Sequence, residues 1–465
     1  MIFAALDFFI FFGLILALNW LLKKWPLVWR IFLLLASYVF YGVWGWNFVV
    51  ILICLSVFNW LFGIYIQRSH KYRKVFLALS VGGNLAVLLY FKYYDFFRTA
   101  LEQAFVKFGF KPSLAVLYIV LPVGLSFYIF RAISYCVDIY RKKYEPEKSL
   151  LDFALYMAFF PQLLSGPIAR ADQFLPQLKN GGAKNISNPG QHIFYILMGL
   201  FKKLVVSSWL TILVVDNVFA VPANYGTFEA LLAVLAFTLT IYCDFSGYSE
   251  IAIGVAGLLG FESPINFDYP YLSRNIQDFW RRWHISLSSW FRDYLYIPLG
   301  GNRVGMWQYY FNLFLVMVVS GLWHGAGWPF IIWGACHGLG SVFYALTHHN
   351  KKTKYFLPPV AWIFNFLFVA LAWIFFRSPD LATATEMFGA LARFRLAFDP
   401  AFTDAVWYLA LGALLVATEK AIKEFFCDFY AASEKWLRPI AIALLAILIV
   451  ELSPSLIPPF IYFSF

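Results

Sequence analysis

The chain alternates between apolar runs and short polar stretches. Runs of about 20 residues are long enough for a helix to cross a membrane, and continuous runs rather than strict alternation exclude a transmembrane barrel. We therefore predict an all-α, polytopic integral membrane protein with about 11–12 transmembrane helices. The predicted spans cover residues 4–22, 28–44, 47–66, 75–93, a part of 114–139, 193–216, 226–243, 308–322, 327–346, 358–376, 405–418 and 437–452.

Some segments depart from the pattern of continuous spans. Residues 151–168 are apolar but end in Pro161 and in Ser-Gly-Pro at 165–167, and such residues break a helix within membrane depth. We predict a re-entrant segment that lines a cavity, with an ordinary loop between spans as the alternative. Residues 171–190 are polar and rich in Gly and Asn, which predicts a surface loop. Residues 378–404 are amphipathic, which predicts an interfacial segment.

The basic residues collect in short loops. Lys23 and Lys24, residues 68–74 and residues 141–143 follow the first, third and fifth predicted spans, so they fall on one side of the membrane. The positive-inside rule places that side in the cytoplasm and the N-terminus outside. Such loops account for the net charge of +11, from 36 basic and 25 acidic residues, and we expect no nucleic-acid partner.

The composition agrees with a membrane protein. The 465 residues are 62% hydrophobic and 13% charged, with a mean hydropathy of +0.70, whereas a soluble domain is about half apolar and a quarter charged. The sequence contains no evident repeat or large soluble domain, so we predict one membrane-embedded domain over residues 1–465. The cysteines lie singly, which predicts free buried thiols rather than disulfides or a zinc site. They are Cys54, Cys136, Cys243, Cys336 and Cys427.

The stretch from residue 244 to residue 337 is the least like an ordinary span. Residues 277–290 have helical spacing but carry too many charges to cross lipid. We predict an amphipathic helix there, at the cytoplasmic interface or buried in the protein, which Pro298 and the following glycines end. Polar side chains also enter the apolar background at the start of the stretch. They are Asp244, Ser246, Tyr248, Ser249 and Glu250.

Two histidines stand out in this stretch. His284 ends the sequence Trp-Arg-Arg-Trp-His, and His324 lies in Ser-Gly-Leu-Trp-His-Gly after an apolar run. A neutral imidazole is costly beside hydrocarbon unless it has a partner or a chemical task. The residues alone leave two readings open: a core histidine that is hydrogen-bonded to the backbone, or a member of an enclosed polar site lined by aromatic rings.

Three motifs are long enough to compare with known families. They are DFSGYSEIAIG at 244–254, NFDYPYLSRNIQDFWRRWHISLSSWFRDYLYIPLGGN at 266–302 and GLWHGAGW at 321–328. Together they resemble the membrane-bound O-acyltransferase family, in the branch of the alginate O-acetyltransferase membrane subunit. Proteins of peptidoglycan O-acetylation and teichoic-acid D-alanylation are relatives in that family.

Two earlier segments, at residues 121–141 and 159–168, are also similar to the family. The resemblance covers roughly residues 1–380, and Arg131 departs from it because a neutral polar residue such as Gln is expected there. It implies transmembrane, re-entrant and interfacial helices around a central cavity. The core motifs then lie at about 114–345, and C-terminal spans follow at about 358–452.

The resemblance also implies roles for the histidines. His324 matches the family's presumed catalytic histidine, and an imidazole suits a general base that takes a hydroxyl proton near neutral pH. Gly325 and Gly327 are expected to permit close backbone approach, and Ser320 is a candidate to orient the ring. His284 matches a position that varies among histidine, asparagine and aspartate, so we expect it to orient the substrate rather than to act as the base.

Other residues of the motifs are predicted to line the cavity or bind substrate. Arg281 and Arg282 either pair with acidic residues such as Asp278 or Asp293, or bind a phosphate-bearing donor. His337 and Cys336 do not have the spacing of a compact metal motif with His324, so we expect no metal. The predicted lining residues are Asp244, Ser246, Tyr248, Trp280, Arg281, Trp283, Ser320 and Trp323.

The function implied by the resemblance is acyl transfer to a hydroxyl. We expect no bound cofactor; an acyl thioester such as acetyl-CoA or an acyl carrier protein is the donor substrate. The expected acceptor is an extracytoplasmic polysaccharide, or a secreted or membrane-anchored acetyltransferase partner, at a bacterial cytoplasmic (inner) membrane. The alternatives are a transporter of polysaccharide or lipid-linked sugar, for which no inverted repeat is evident, and a noncatalytic scaffold in which His324 is dispensable.

Overall fold

A computed structural model describes residues 6–110, 115–164, 166–182, 185–347, 357–395 and 399–463. Over these ranges the regular structure is helical and contains no strand, which confirms the predicted all-α class. We number the helices in chain order and treat continuous α and π segments as one helix. They are α1 Leu6–Leu22, α2 Pro26–Gly42, α3 Trp46–Arg68, α4 Arg73–Lys107, α5 Leu125–Tyr140, α6 Leu150–Ala158, α7 Phe160–Leu163, α8 Ala171–Lys179, α9 Pro189–Ala220, α10 Thr227–Leu258, α11 Ile276–Arg282, α12 Ile285–Phe291, α13 Met306–His324, α14 Trp328–Thr347, α15 Pro358–Arg377, α16 Leu381–Ala392, α17 Thr403–Ala432 and α18 Leu437–Glu451.

Seven helices in the described ranges are long and apolar enough to cross a membrane. They correspond to α3, α4, α9, α10, α14, α15 and α17. Helices α1 and α2 are shorter apolar helices of 17 residues each. The multi-pass architecture is therefore confirmed. The larger total of about 11–12 spans and the orientation of the chain in the membrane stay predictions.

The span predicted within residues 114–139 is a helix from Leu125 to Tyr140, and Pro122 and the left-handed Gly124 (φ 78°) precede it. Two local predictions were wrong. The predicted loop at 171–190 contains α8. The polar residues from 244 onward do not end a span, since α10 continues without interruption to Leu258.

The chain divides into two compact units. The first comprises residues 1–187 and 256–263, and contains the predicted re-entrant segment, whose helix is broken between α6 and α7 at Phe159. Arg131, the residue that departs from the family pattern, is buried beside this break. Its guanidinium donates to the carbonyls of Tyr156 and Gln162, each at 3.0 Å. Arg131 thus satisfies carbonyls that the broken helix leaves without partners.

The second unit comprises residues 188–255 and 264–465. Its helices α9 and α10 pack closely through glycines, because a Cβ at Gly247 would lie 2.7 Å from the Gly199 carbonyl oxygen. Helix α9 has π-helical turns at Phe201–Ser207 and Thr211–Val215, a form that is frequent at functional sites. The close packing places the polar residues of both helices next to each other.

Helices α13 and α14 of the second unit also pack through glycines. A Cβ at Gly321 would lie 2.2 Å from the Phe330 carbonyl oxygen, and one at Gly325 would lie 2.1 Å from the Phe330 ring. Gly325 therefore serves helix packing at the end of α13. The close approach that the sequence predicts at Gly325 is therefore made by the side chain of Phe330.

Candidate functional site

His284 lies at a break between two short helices. Helix α11 ends at Arg282 and α12 begins at Ile285, and His284 between them has a left-handed backbone with φ of 42°. This conformation is uncommon for a residue other than glycine. The preceding loop supports it, because the N–H of Ile285 donates to the Asn266 carbonyl at 2.9 Å. The predicted single helix over residues 277–290 is therefore wrong.

Asn266 fixes the tautomer of His284. His284 Nδ1 lies 3.0 Å from Asn266 Oδ1, which also accepts from the backbone N–H of Ser286 at 3.3 Å and from the Ser286 hydroxyl at 2.9 Å. Because a backbone N–H can only donate, the atom that faces it is the amide oxygen. His284 therefore carries its proton on Nδ1, and Nε2 has the lone pair of the neutral ring.

The surroundings of His284 are aromatic. The ring is fully buried and contacts Phe245, Trp323 and Phe267, with centroid distances of 4.6, 6.2 and 6.4 Å. Burial lowers the pKa of His284 to about 3, because the charged imidazolium is poorly solvated there. His284 is therefore neutral at physiological pH.

His324 is the last residue of α13 and is 2% exposed. Its imidazole lies among the rings of Trp323, Trp333, Phe376 and Tyr462, with centroid distances of 5.0, 5.1, 5.2 and 5.6 Å. These rings come from α13, α14, α15 and residues 453–463, which we call the C-terminal segment. The second unit thus encloses His324 with aromatic side chains from four parts of the chain.

Shared aromatic neighbours join the two histidines. Trp323 contacts His284 at 6.2 Å and His324 at 5.0 Å. On a second path, Phe245 contacts both His284 and Tyr462, each at 4.6 Å, and Tyr462 contacts His324. We call these five residues the histidine cluster. The structure thus brings the motifs at 244–254, 266–302 and 321–328 together, as a common site requires.

The sequence analysis missed Tyr462 and the segment that carries it. Phe460 is fully buried and stacks on Tyr248 with a centroid distance of 4.4 Å, and Tyr462 follows two residues later. The hydroxyl oxygen of Tyr462 is buried, and burial raises the pKa of this phenol well above its ordinary value. The signal was an aromatic run after Pro458 and Pro459, too short to span a membrane and too apolar for a solvated terminus.

A network of charged side chains includes Glu250, which lies on the same helix as Phe245. Lys202 Nζ is 2.5 Å from Glu250 Oε1 and 2.6 Å from Glu419 Oε1, and the Tyr242 hydroxyl donates to Glu419 Oε2 at 3.2 Å. This network links α9, α10 and α17. The sequence analysis missed it although both Lys202 and Lys203 interrupt the predicted span at 193–216, and charged residues within spans are functional candidates.

Lys203 pairs with one of the predicted site residues. Its Nζ lies 2.5 Å from Asp244 Oδ1, and the Ser207 hydroxyl donates to the same oxygen at 3.3 Å. Both partners of the ion pair are buried, at 2% exposure each. We call the five residues Lys202, Lys203, Asp244, Glu250 and Glu419 the charged cluster. Asp244 therefore belongs to this cluster, whereas its neighbour Phe245 belongs to the histidine cluster.

The other predicted site residues are spread over several surroundings. Trp283 is buried against Phe267 and Trp373, Trp280 contacts His337, and Ser246 is fully buried on α10. Ser320 is buried one turn before His324 but makes no hydrogen bond to its ring within the described ranges, so its expected orienting role has no support. Ser246 thus lies on α10, Trp280 on α11 and Ser320 on α13, and Trp283 lies at the break before α12.

The two arginines of the motif have different surroundings. Arg282 donates to Asp278 at 2.9 Å, as the pairing hypothesis predicts, while Asp293 pairs with the neighbouring Arg292. Arg281 is exposed and forms no ion pair in the part of the chain that the structure describes. It is therefore not part of the buried ring of aromatic residues around the histidines.

His337 lies in an aromatic environment as well. Its ring contacts Trp333 at 4.8 Å and Trp280 at 5.1 Å, and Trp333 also contacts His324. Among the residues for which coordinates are described, no group of three or more His, Cys, Asp or Glu side chains could hold a metal ion. The structure thus packs His337 among rings on α11 and α14.

Comparison with known proteins gives a consistent family. The sequence profile of MBOAT, the membrane-bound O-acyltransferase family, matches residues 147–378. The chain is 40% identical over 368 residues to a "Probable alginate O-acetylase AlgI" of Pseudomonas putida, which covers 78% of this chain and 75% of that protein. The same name and identity apply to a Pseudomonas aeruginosa protein, with 78% and 70% covered.

A second group of relatives carries a different name. A "Peptidoglycan O-acetyltransferase" of Helicobacter pylori is 37% identical over 394 residues, covering 78% of this chain and 74% of that protein. A "Teichoic acid D-alanyltransferase" of Streptococcus thermophilus is 32% identical over 252 residues, covering 50% of this chain and 58% of that protein. The chain is thus similar to proteins named for alginate, for peptidoglycan and for teichoic acid.

Proposed function

Because the chain belongs to the membrane-bound O-acyltransferase family and is an O-acyltransferase, we propose that it moves an acetyl group across a bacterial cytoplasmic membrane. The donor is a cytoplasmic thioester, acetyl-CoA or an acyl carrier protein. The acceptor is an extracytoplasmic polysaccharide or a partner acetyltransferase that completes the transfer. The observation that carries this proposal is the histidine cluster, in which two imidazoles are enclosed by aromatic rings at the family's motifs.

In this mechanism His324 is the general base. A hydroxyl has a pKa far above neutral and attacks a thioester slowly unless a base takes its proton. His324 accepts that proton as the oxygen bonds to the acyl carbon, and the carbon–sulfur bond breaks. The proton then passes to the departing thiolate, so the products are an oxygen ester and a thiol. His284 directs its Nδ1–H to Asn266 and presents Nε2 as a hydrogen-bond acceptor. Nε2 orients either the attacking hydroxyl or an amide group of the thioester substrate.

One specific observation favours Tyr462 as a second acceptor. Its ring contacts His324, and burial keeps its phenol protonated, so it needs a base before it can attack. Transfer to Tyr462 would form an aryl ester and release the thiol, with His324 moving the proton as above. The acyl group would then leave in a second transfer to an external hydroxyl, which restores the phenol.

A reconstituted assay tests the proposal. The purified full chain in vesicles is supplied with acetyl-CoA or an acetyl-loaded acyl carrier protein, and free thiol is measured together with ester formed on added alginate, on peptidoglycan fragments and on the chain itself. Thiol release that depends on His324 supports acyl transfer. Intact-mass and peptide analysis then distinguishes an acyl group on Tyr462 from direct transfer to the polymer. Release that is unchanged in His324→Ala would contradict the assignment of the base.

A further inference from the structure

The backbone of the C-terminal segment is held by one ion pair. Lys203 Nζ donates to the carbonyls of Pro458 and Pro459 at 3.0 and 3.2 Å, and Asp244 Oδ2 accepts the backbone N–H of Ile461 at 2.8 Å. We propose that Lys203 and Asp244 form a backbone clamp that positions the C-terminal segment, and with it Tyr462, against His324. This inference rests on the proposed function, in which His324 is the reacting base.

Each member of the ion pair bonds to the other member and also to the backbone of the C-terminal segment. An ammonium group has three donors, and those of Lys203 are directed to Asp244 Oδ1, the Pro458 carbonyl and the Pro459 carbonyl. The carboxylate uses Oδ1 for Lys203 and Ser207, and Oδ2 for Ile461. Both members of the ion pair therefore bond to the backbone of the C-terminal segment.

The two adjacent lysines have separate tasks. Lys202 contacts Glu250 and Glu419 on α10 and α17, whereas Lys203 contacts Asp244 and the C-terminal segment. Both lie in the π-helical turn Phe201–Ser207 and both are buried. Lys203 is therefore available to the segment because Lys202 alone meets the two glutamates.

The clamp fixes the part of the segment that precedes the aromatic contacts. Beyond Ile461, Tyr462 contacts His324 and Phe245, and before it Phe460 stacks on Tyr248. A cavity of about 210 Å³ borders the clamp and is lined by Lys203, Asp244 and Ile461 among others. Because the segment borders open space there, packing alone does not fix its backbone, and the polar contacts of the clamp supply the missing constraint.

A charge exchange separates a clamp from a structural ion pair. The double variant Lys203→Asp/Asp244→Lys keeps opposite charges at the two positions but puts an acceptor opposite the Pro458 and Pro459 carbonyls and a donor opposite the Ile461 N–H. We expect normal membrane abundance, amide hydrogen exchange in residues 453–463 that is about tenfold faster, and acyl transfer that is roughly 10- to 100-fold slower in kcat. KM for the thioester donor should be unchanged.

A variant of the segment itself tests the clamp without altering the buried charges. Ile461 is the first residue of the 3-10 helix Ile461–Phe463, a position at which proline is well tolerated. Ile461→Pro removes the N–H that Asp244 accepts, and Ile461→Val is the matched control that keeps it. We expect faster exchange and lower kcat for the proline variant only.

The two measurements also separate this inference from the proposed function. Native exchange protection and native kcat in the charge-exchange variant, or equal behaviour of Ile461→Pro and Ile461→Val, would overturn the clamp. Faster exchange with an unchanged kcat would also overturn it, because the segment would then have no positioning role. If the charge-exchange variant does not reach the membrane, the Ile461 pair decides. An active His324→Ala chain would instead contradict the proposed function and leave the exchange result as the measure of the clamp.

Discussion

The histidine cluster and the charged cluster both lie in the second unit. Two adjacent residues of α10 belong to different clusters. Phe245 contacts the imidazole of His284, whereas Asp244 pairs with Lys203. In the charged cluster, ion pairs of 2.5–2.6 Å hold each lysine. In the histidine cluster, the imidazoles contact aromatic rings, and His284 bonds to the neutral amide of Asn266.

This difference separates positioning from chemistry. A buried charge is tolerated when it is paired, and breaking such a pair is costly, so the charged cluster is suited to fix helices and the C-terminal segment. The histidine cluster instead contains His324, an imidazole of the kind that can take a hydroxyl proton near neutral pH. The chemistry is therefore expected to depend on the histidines, and the stability of the second unit on the charges.

The largest expected effect is on activity and comes from the histidine cluster. Replacing His324 by alanine should lower O-acylation by roughly 100- to 10,000-fold, because the attacking hydroxyl loses its base. The measurement is the acyl content of exported polymer in cells that hold equal amounts of the variant and the parent chain in the membrane. Full acylation by His324→Ala would show that His324 is not the general base.

The next effect should appear in stability and come from the charged cluster. Lys202→Met leaves Glu250 and Glu419 buried and facing each other without their cation, and breaking a buried pair costs about 3–5 kcal/mol. We expect a lower melting temperature in detergent and less protein in the membrane. The triple variant Lys202→Met/Glu250→Gln/Glu419→Gln, which removes all the charges, should recover most of the loss.

That control also decides whether the charges have a chemical task. If the triple variant is stable and transfers acyl groups at the parent rate, the network is structural. If it is stable but inactive, the separation of positioning from chemistry drawn above is wrong for Lys202. A Lys202→Met chain as stable as the parent would show that this ion pair contributes little to folding.

A smaller effect is expected at His284. His284→Asn retains a hydrogen-bonding group and should keep partial activity. His284→Leu should be worse, because the side-chain oxygen of Asn266 then loses one of its donors in a buried site. One net hydrogen bond is worth about 1 kcal/mol, or roughly fivefold in rate. Acyl transfer at saturating donor measures the difference. A loss in His284→Asn as large as that in His324→Ala would mean that the two histidines act as one unit.

The sequence predicted the spans well where apolar residues are continuous, as in α3 and α15. The prediction failed where a residue that is distant in sequence supplies the partner of a charged side chain. Asp244 and Glu250 read as the end of a span, yet α10 continues past them because Lys203 and Lys202 on α9 neutralise them. Nothing in the local sequence of α10 shows that these lysines are near.

The candidate site was predictable in part for the same reason. His324 and His284 carry motifs that local sequence preserves, and their shared neighbour Trp323 lies within one of those motifs. Tyr462 lies more than 130 residues beyond His324 in sequence, and its contact with that ring depends on how the C-terminal segment folds back. The left-handed backbone of His284 was likewise hidden, because helical spacing on both sides of it suggested one helix.

The last expected effect is a dependence of stability on pH that belongs to His284. Burial lowers the pKa of His284 to about 3, below the ordinary value of 6.5, and the surrounding groups are Phe245, Trp323 and Asn266, none of which is charged. Between these two pH values the unfolded chain binds a proton at this position and the folded chain does not. Stability therefore falls as pH decreases from about 6.5 towards 3, and is independent of this group above that range. Melting curves in detergent at pH 4–8 should show a smaller loss on acidification for His284→Asn than for the parent. Equal acid sensitivity of His284→Asn and the parent would mean that other groups control it.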